Sequence, residues 1–173
     1  PGCENVVGKV IVFSNAESVE LFLNKKSLGR KKVKDRLRVE FELAYEAGEL
    51  VANAYDKEGK LIGSDQLVTP GTKRSIVAMP EFDNLTDAHM VYVPIYLQDE
   101  NGIICNCNDM EVKIDVAGAE IMAFGNEKPA SEENYHENKT SLYEGKALAI
   151  LKLAGNKEDL QIRVSGNDCN YIV

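Results

Sequence analysis

Hydrophobic and polar residues alternate along most of the chain in short runs, which predicts β-strands with one face turned inward. The run LRVEFEL at residues 37–43 shows the pattern, with four apolar side chains on one predicted face and three charged side chains on the other. Gly, Asn and Asp separate the runs, and helical periodicity is almost absent. Half-apolar strands at such close spacing indicate antiparallel sheets that pack face to face.

A segment of turn-forming residues between two groups of predicted strands indicates a boundary between two domains. The sequence TPGT at residues 69–72 follows about five predicted strands and precedes about seven more. We therefore expect an all-β chain with two immunoglobulin-like antiparallel β-sandwich domains in tandem, at residues 1–70 and 71–173. The likeness is architectural, because the chain has no Trp and lacks the Cys, Trp, Cys spacing of antibody domains.

Three local signals refine this picture. Residues 57–60, KEGK, predict a hairpin, and residues 99–102, DENG, predict a tight turn because Asn-Gly tolerates positive φ. Pro94 interrupts the long predicted strand at residues 89–99. Because proline has no amide hydrogen to donate to a ladder, we expect an edge position or a bulge there.

Charge and length exclude several classes of partner. The 173 residues include 20 Lys and Arg against 28 Asp and Glu, a net charge of −8, so a nucleic acid is a poor partner. The basic cluster at residues 30–38 is predicted to be a solvated loop or strand face. No apolar run reaches the roughly 20 residues that a membrane helix needs, so no membrane insertion is expected. The chain opens with Pro1 and not with Met, which is typical of an excised piece.

No catalytic motif, metal site or cofactor site is predicted from the sequence. Nucleophile elbow, phosphate-binding loop and zinc-protease motifs are absent, and only two histidines occur. The four cysteines do not follow a common zinc spacing. We expect plain thiols, with a disulfide that involves Cys3 or Cys169 as the alternative; the other two are Cys105 and Cys107.

The long polar stretch at residues 126–143, NEKPASEENYHENKTSLY, is the candidate site. Long connections between strands are often functional or mobile. Asn126, Glu127, Tyr135 and His136 are its candidate ligand or interface residues. Its carboxylates could hold Ca²⁺ and its aromatic side chain could stack on a sugar, although calcium loops use tighter spacing and sugar platforms favour Trp. The interpretation that the sequence favours is nevertheless an interface or a solvent-exposed loop, and the ligand site is the alternative.

The amino-acid sequences of both halves resemble those of a known family. Residues 14–29 contain SN and VELFLNKKSLG, and residues 45–55 read YEAGELVANAY, which is similar to the region after the catalytic barrel in bacterial glycoside hydrolase family 2 enzymes, mostly β-galactosidases. Residues 118–155, with GAEIMAFGNEKPASEENY and YEGKALAILKLAG, are similar to the immunoglobulin-like domain that closes many of these enzymes. Two departures are Lys25, where the family often has Gly, and Glu127-Lys128, where it often has Gly-Asp.

This resemblance implies a non-catalytic accessory region of a β-galactosidase. The family holds its two catalytic Glu on a (β/α)8 barrel of about 250 residues, for which this chain is too short. The expected partner is the catalytic barrel of the same parent chain, with a homo-oligomer of the parent and a glycan left open. The parent is expected to be bacterial and periplasmic or secreted. The alternatives are a carbohydrate-binding module and a structural or adhesive module of a bacterial surface protein.

Overall fold

The computed structural model is an all-β protein, as predicted. It describes residues 6–34, 37–82, 89–106 and 110–166, and the backbone of residues 169–172. The chain divides into two compact units, Pro1–Thr69 and Pro70–Val173. Whether each unit is a domain that folds alone stays a prediction. Within the described residues no helix is long and apolar enough to cross a membrane.

The first unit is a small sandwich of two antiparallel sheets. Its strands are β1 (Val7–Phe13), β2 (Ser18–Leu23), β3 (Lys26–Lys32), β4 (Arg38–Ala44), β5 (Glu49–Tyr55) and β6 (Leu61–Val68). A two-stranded sheet, β1-β4, packs against a four-stranded sheet in the order β3-β2-β5-β6. The buried core between them consists of Val19, Leu21, Val39 and Phe41.

Two details of this unit differ from the sequence-based expectation. Strand β3 carries only one apolar side chain, the half-buried Leu28, and so it had no hydrophobic alternation to identify it. Leu37 was expected on the inner face, but the ladder begins at Arg38 and Leu37 is 58% exposed with φ of 54°. The basic residues Arg30 and Lys31 lie on β3, and their side chains cover the rings of Tyr55 and Phe41.

The hairpin between β2 and β3 depends on a strained lysine. Asn24 and Lys25 have φ of 49° and 67°, which are the two positive angles of a type I′ turn. A side chain at such an angle costs about 1–2 kcal/mol, which glycine avoids at a smaller entropic cost. We expect Lys25→Gly to raise the free energy of unfolding by about 0.5 kcal/mol. Urea denaturation measures this, and Lys25→Ala, which keeps the Cβ atom, is the control and should show no gain.

The second unit is a larger sandwich. Its strands are β7 (Arg74–Ala78), β8 (Glu81–Phe82), β9 (Met90–Asp99), β10 (Glu111–Ala117), β11 (Ala119–Gly125), β12 (Lys139–Ser141), β13 (Lys146–Leu153), β14 (Gln161–Gly166) and β15 (Cys169–Ile172). One sheet has the order β12-β10-β14-β15, and the other has the order β11-β13-β9-β7, with β8 also paired to β9. The core between the sheets is built on Phe124 and on the inward side chains of β9, β10 and β13.

Pro94 lies in the centre of a sheet, so the prediction of an edge strand or a bulge is wrong. β9 pairs with β13 on one side and with β7 and β8 on the other. The carbonyl of Pro94 accepts a hydrogen bond from Met79 N at 3.0 Å, where the neighbouring strand is interrupted between β7 and β8. The proline nitrogen points to this same side, and the interruption removes the need for the amide hydrogen that it lacks.

The predicted turn after β9 is present and is organised by a buried carboxylate. Asp99 is 4% exposed and accepts hydrogen bonds from the backbone N–H groups of Gly71 (2.7 Å), Ile103 (2.8 Å) and Asn101 (2.9 Å). The Gly71 hydrogen bond is the main cause of a lowered pKa of Asp99, and it outweighs the opposing effect of burial. One side chain thus fixes the turn to the segment that enters β7.

Candidate functional site

The connection between β11 and β12, residues 126–138, is a structured loop that is anchored at one point. Asn126 Nδ2 donates hydrogen bonds to the Ser141 carbonyl at 2.8 Å and to Glu133 Oε2 at 3.0 Å. Glu133 also accepts hydrogen bonds from the Thr140 hydroxyl and from Ser141 N. The loop is therefore folded back onto the strand that follows it.

The charge of Glu133 is stabilised in this position. Partial burial raises the pKa of its carboxyl, but the hydrogen bonds from Thr140 and Ser141, together with the charge of Lys128, outweigh burial and hold the pKa below its ordinary value. Both carboxylate oxygens of Glu133 are engaged within the protein. Glu133 is therefore a structural carboxylate that holds the loop.

The folded loop places an aromatic ring on the outer face of the five-stranded sheet. The carbonyl of Tyr135 accepts a hydrogen bond from Phe124 N at 2.7 Å, and its ring lies over Gly125. A Cβ atom at position 125 would clash with the ring, so only glycine leaves room for it. Tyr135 is 45% exposed, so the contact with Gly125 fixes its orientation while the rest of the ring remains accessible.

The ring of Tyr135 forms one wall of an open depression of about 440 Å³. Its floor is shallow because the small residues Ala123 and Gly125 of β11 stand beside Ile150 and Leu148 of β13. Pro94 and Tyr96 of β9 complete the floor and the opposite side. An ion pair between Glu127 and Lys146, with 3.4 Å between Oε1 and Nζ, lies on the rim.

The structure brings together three of the four candidate residues of the loop. Asn126, Glu127 and Tyr135 line the depression, although the Asn126 amide is already engaged in the anchor. His136 is exposed, does not line the depression, and donates its backbone N–H to Asn134 Oδ1 at 3.1 Å. Ligand binding by these residues stays a prediction.

Sequence reasoning missed the side of the depression that belongs to the sheet. Tyr92, Pro94 and Tyr96 occupy alternate positions of β9 and face outward, whereas their neighbours in the strand are buried. The signal was available, because a strand with apolar side chains at every position is apolar on both faces. The prediction identified the strand but assigned no function to either of its faces.

The first unit carries a second concave surface, which we call the apolar groove. It has a volume of about 520 Å³ and runs between strands β1 and β6, over a floor that includes Val12, Leu21 and Ala52. Phe13 and Leu67 lie along its sides and are 72% and 70% exposed. Between β3 and β4, by contrast, Lys31 Nζ donates a hydrogen bond to the Glu40 carbonyl at 2.8 Å, and the depression there is lined mainly by charged residues.

The described residues offer no metal centre. Among them, no three His, Cys, Asp or Glu side chains form a group that could hold a metal ion. Cys105 is buried in the core of the second unit. The structure does not describe Cys3, Cys107 or the side chain of Cys169, so the predicted state of these cysteines lies outside it.

Two family models match the chain. Residues 84–171 match the glycoside hydrolase family 2 C-terminal domain 5, and residues 6–63 match a domain of unknown function. The chain is 29% identical over 147 residues to the beta-galactosidase BoGH2A of Bacteroides ovatus, and the match covers 83% of the chain and 17% of that protein.

Solved structures of glycosidases share the fold. A glycosyl hydrolase family 2 member from Bacteroides cellulosilyticus is similar over the whole chain, with 26% identity and a TM-score of 0.92, and the match covers 24% of that protein. A beta-glycosidase from Bacteroides vulgatus has the same fold at 23% identity and a TM-score of 0.83, again over the whole chain and 23% of that protein. The chain thus spans about a fifth of the length of its relatives.

Proposed function

Because the chain belongs to the C-terminal accessory regions of glycoside hydrolase family 2, we propose that its two units are non-catalytic and pack on the catalytic barrel of a longer parent chain. We further propose that the parent hydrolyses β-galactosides, in line with the name of the relative from Bacteroides ovatus. Retaining glycosidases need two carboxylates about 5 Å apart on either side of the bond that is cut. We assign that pair to the rest of the parent.

The apolar groove is the observation that carries the packing role. Strand β1 is apolar on both faces, with Val10 and Val12 against the core and Ile11 and Phe13 turned outward. Strands with apolar residues on both faces are normally covered on both faces. β1 and β6 also lie at the edges of their sheets, and an exposed apolar edge is normally paired or covered.

The occupant that fits this groove is an extended segment of the parent's catalytic region. The groove runs between two strand edges, and its floor presents the small or branched residues Val12, Ala52 and Ala54. An added strand can use the free backbone groups of an edge and insert alternate side chains into the apolar floor. Packing of this kind would hold the accessory units at a fixed position beside the barrel, where they can frame the entry of the substrate.

Leu67→Asp tests the packing role. Leu67 is 70% exposed, so the free energy of unfolding of the isolated chain should change by no more than about 0.5 kcal/mol. The 173-residue chain is mixed with the separately produced catalytic region of its parent, and the affinity is measured by calorimetry. We expect Leu67→Asp to weaken the complex at least about tenfold, because a carboxylate is buried without a partner.

Leu61→Asp is the matched control, since Leu61 lies on the same strand, is 51% exposed and does not line the groove. It should leave the affinity unchanged. Equal weakening by both substitutions would argue against the groove, and no association of the wild-type chain with the catalytic region would argue against packing altogether.

A further inference from the structure

The two outer faces of the second unit differ in chemistry. On the four-stranded sheet, the outward positions of β10 are the charged residues Glu111, Lys113 and Asp115. On the five-stranded sheet, the central outward positions are aromatic or aliphatic, as at Tyr96 and Leu148, and charge is confined to the rim. An exposed apolar face of the second kind is typical of an interaction surface or a ligand site.

The register of the sheet places a shallow apolar floor between two tyrosines. Leu148 pairs with Pro94 on one side and with Gly125 on the other, so these three residues form one row across the sheet. Tyr96 pairs with Lys146 in the next row. Tyr135 stands over Gly125 at the end of the first row, with its orientation fixed by the glycine.

The polar groups of this depression lie at its edge and are available to a ligand. The side chains of Lys146 and Glu127 are 39% and 58% exposed, so their ion pair is open to solvent. Within the part of the chain that the structure describes, the hydroxyls of Tyr96 and Tyr135 make no hydrogen bond to another residue. The site therefore offers aromatic surface beside two phenol hydroxyls and a solvent-exposed ion pair.

We infer that this depression binds a hexopyranose unit of a glycan. A pyranose has an apolar face of C–H groups that packs on an aromatic ring, and a periphery of hydroxyls that matches a carboxylate, an ammonium group and phenols. The volume of about 440 Å³ is in the range of small-molecule sites. An apolar protein surface on this depression would remove water from the Glu127–Lys146 ion pair and give it no new hydrogen bonds. The hydroxyls of a sugar would replace the water with hydrogen bonds to both side chains.

This site is separate from the apolar groove that carries the packing role, because it lies on the second unit and the groove lies on the first. An open site with one sugar ring in contact predicts weak binding, with a Kd of about 1–10 mM. Binding of this strength orients or retains a glycan near the parent enzyme and does not hold it alone.

The test is an NMR titration of the 173-residue chain with methyl β-galactopyranoside, lactose and cellobiose. We expect saturable shifts of amides in β9, β11, β13 and residues 126–135. Tyr96→Ala and Tyr135→Ala should each weaken binding at least about tenfold, and Tyr96→Phe, which keeps the ring, should stay within about threefold of the wild type. Gly125→Ala keeps both tyrosines but displaces the ring of Tyr135, and it should weaken binding as well.

Two results would overturn the inference. The first is that none of the three sugars gives saturable shifts with the wild-type chain, which does not depend on the folding of any variant. The second is that folded Tyr96→Ala and Tyr135→Ala chains bind as tightly as the wild type. Leu67→Asp should bind sugars normally, so a failure of packing and a failure of sugar binding are distinguishable.

Discussion

Asp99→Ala is expected to lower the midpoint of thermal unfolding of the second unit by about 10 °C. The substitution removes the buried carboxylate that accepts hydrogen bonds from the N–H groups of Gly71, Asn101 and Ile103, which are themselves half-buried or exposed. Asp99→Asn should lower the midpoint less than Asp99→Ala, because its amide oxygen can still accept from Asn101 N and Ile103 N, whereas its NH2 group would face the N–H group of Gly71. Calorimetry or circular dichroism measures the midpoint.

Because of the same carboxylate, we expect the second unit to lose stability at low pH. The pKa of Asp99 is lower in the folded chain than its ordinary value, so its stabilising effect is complete above that ordinary value, near about pH 4. The effect is lost as the pH falls through the lowered folded pKa. The wild-type unfolding midpoint should therefore fall more steeply below about pH 4 than the midpoint of Asp99→Asn.

Asp115 provides the control for both measurements. It is an exposed carboxylate of the same unit, and its ion pair with Lys113 is open to solvent. Such pairs contribute little to stability, so Asp115→Ala should leave the midpoint almost unchanged. A midpoint for Asp99→Ala equal to that of Asp115→Ala would show that water replaces the three hydrogen bonds without cost.

Glu133→Ala is expected to cost about 2 kcal/mol of unfolding free energy and to release the loop at residues 126–138. The substitution removes the acceptor for Asn126 Nδ2, the Thr140 hydroxyl and Ser141 N. Urea denaturation measures the stability, and hydrogen exchange at Phe124 N reports whether Tyr135 keeps its position, since its carbonyl holds that amide.

Glu132→Ala is the matched control for this substitution, because Glu132 is exposed and adjacent in the loop. It should change neither the stability nor the exchange rate. Protection of Phe124 N in Glu133→Ala at the wild-type level would show that Gly125 alone is sufficient to position the ring of Tyr135. The sugar affinity of the two variants should follow the same order as their protection of Phe124 N.

The sequence predicted the features of the fold that depend on local pattern. Alternation identified β4, the long apolar run at residues 89–99 identified β9, and the Asn-Gly pair identified the turn that follows Asp99. β3 was not predicted as a strand because its side chains are mostly charged. Leu37 was predicted on the inner face, which is wrong, because the start of a strand depends on backbone geometry that the alternation of residues does not show. The edge position or bulge predicted for Pro94 was wrong because a central sheet position accepts proline only where the neighbouring strand is interrupted. That interruption, between β7 and β8, is adjacent to Pro94 in the folded sheet and distant from it in sequence.

The candidate site was predictable only in part, for a similar reason. The composition of residues 126–143 pointed to the loop, and Tyr135 was among its candidate residues. The partners of Tyr135 in the depression, Tyr96 and Leu148, come from strands that are distant in sequence and adjacent only in the folded sheet. The need for glycine at position 125 likewise follows from the folded loop and not from any local rule.

The apolar groove and the depression beside Tyr135 lie on one polypeptide. If the groove binds the parent enzyme, a millimolar Kd for a sugar is sufficient for an effect on that enzyme. A sugar site that is tethered to an enzyme experiences the glycan at an effective concentration set by the tether, which is in the millimolar range for short connections. Under the proposed function, a product released by the parent would then be recaptured in a substantial fraction of events, because the proposed Kd is of the same order as this concentration. Weak contact through Tyr96 and Tyr135 would thereby favour successive cuts on one glycan over a single cut on many.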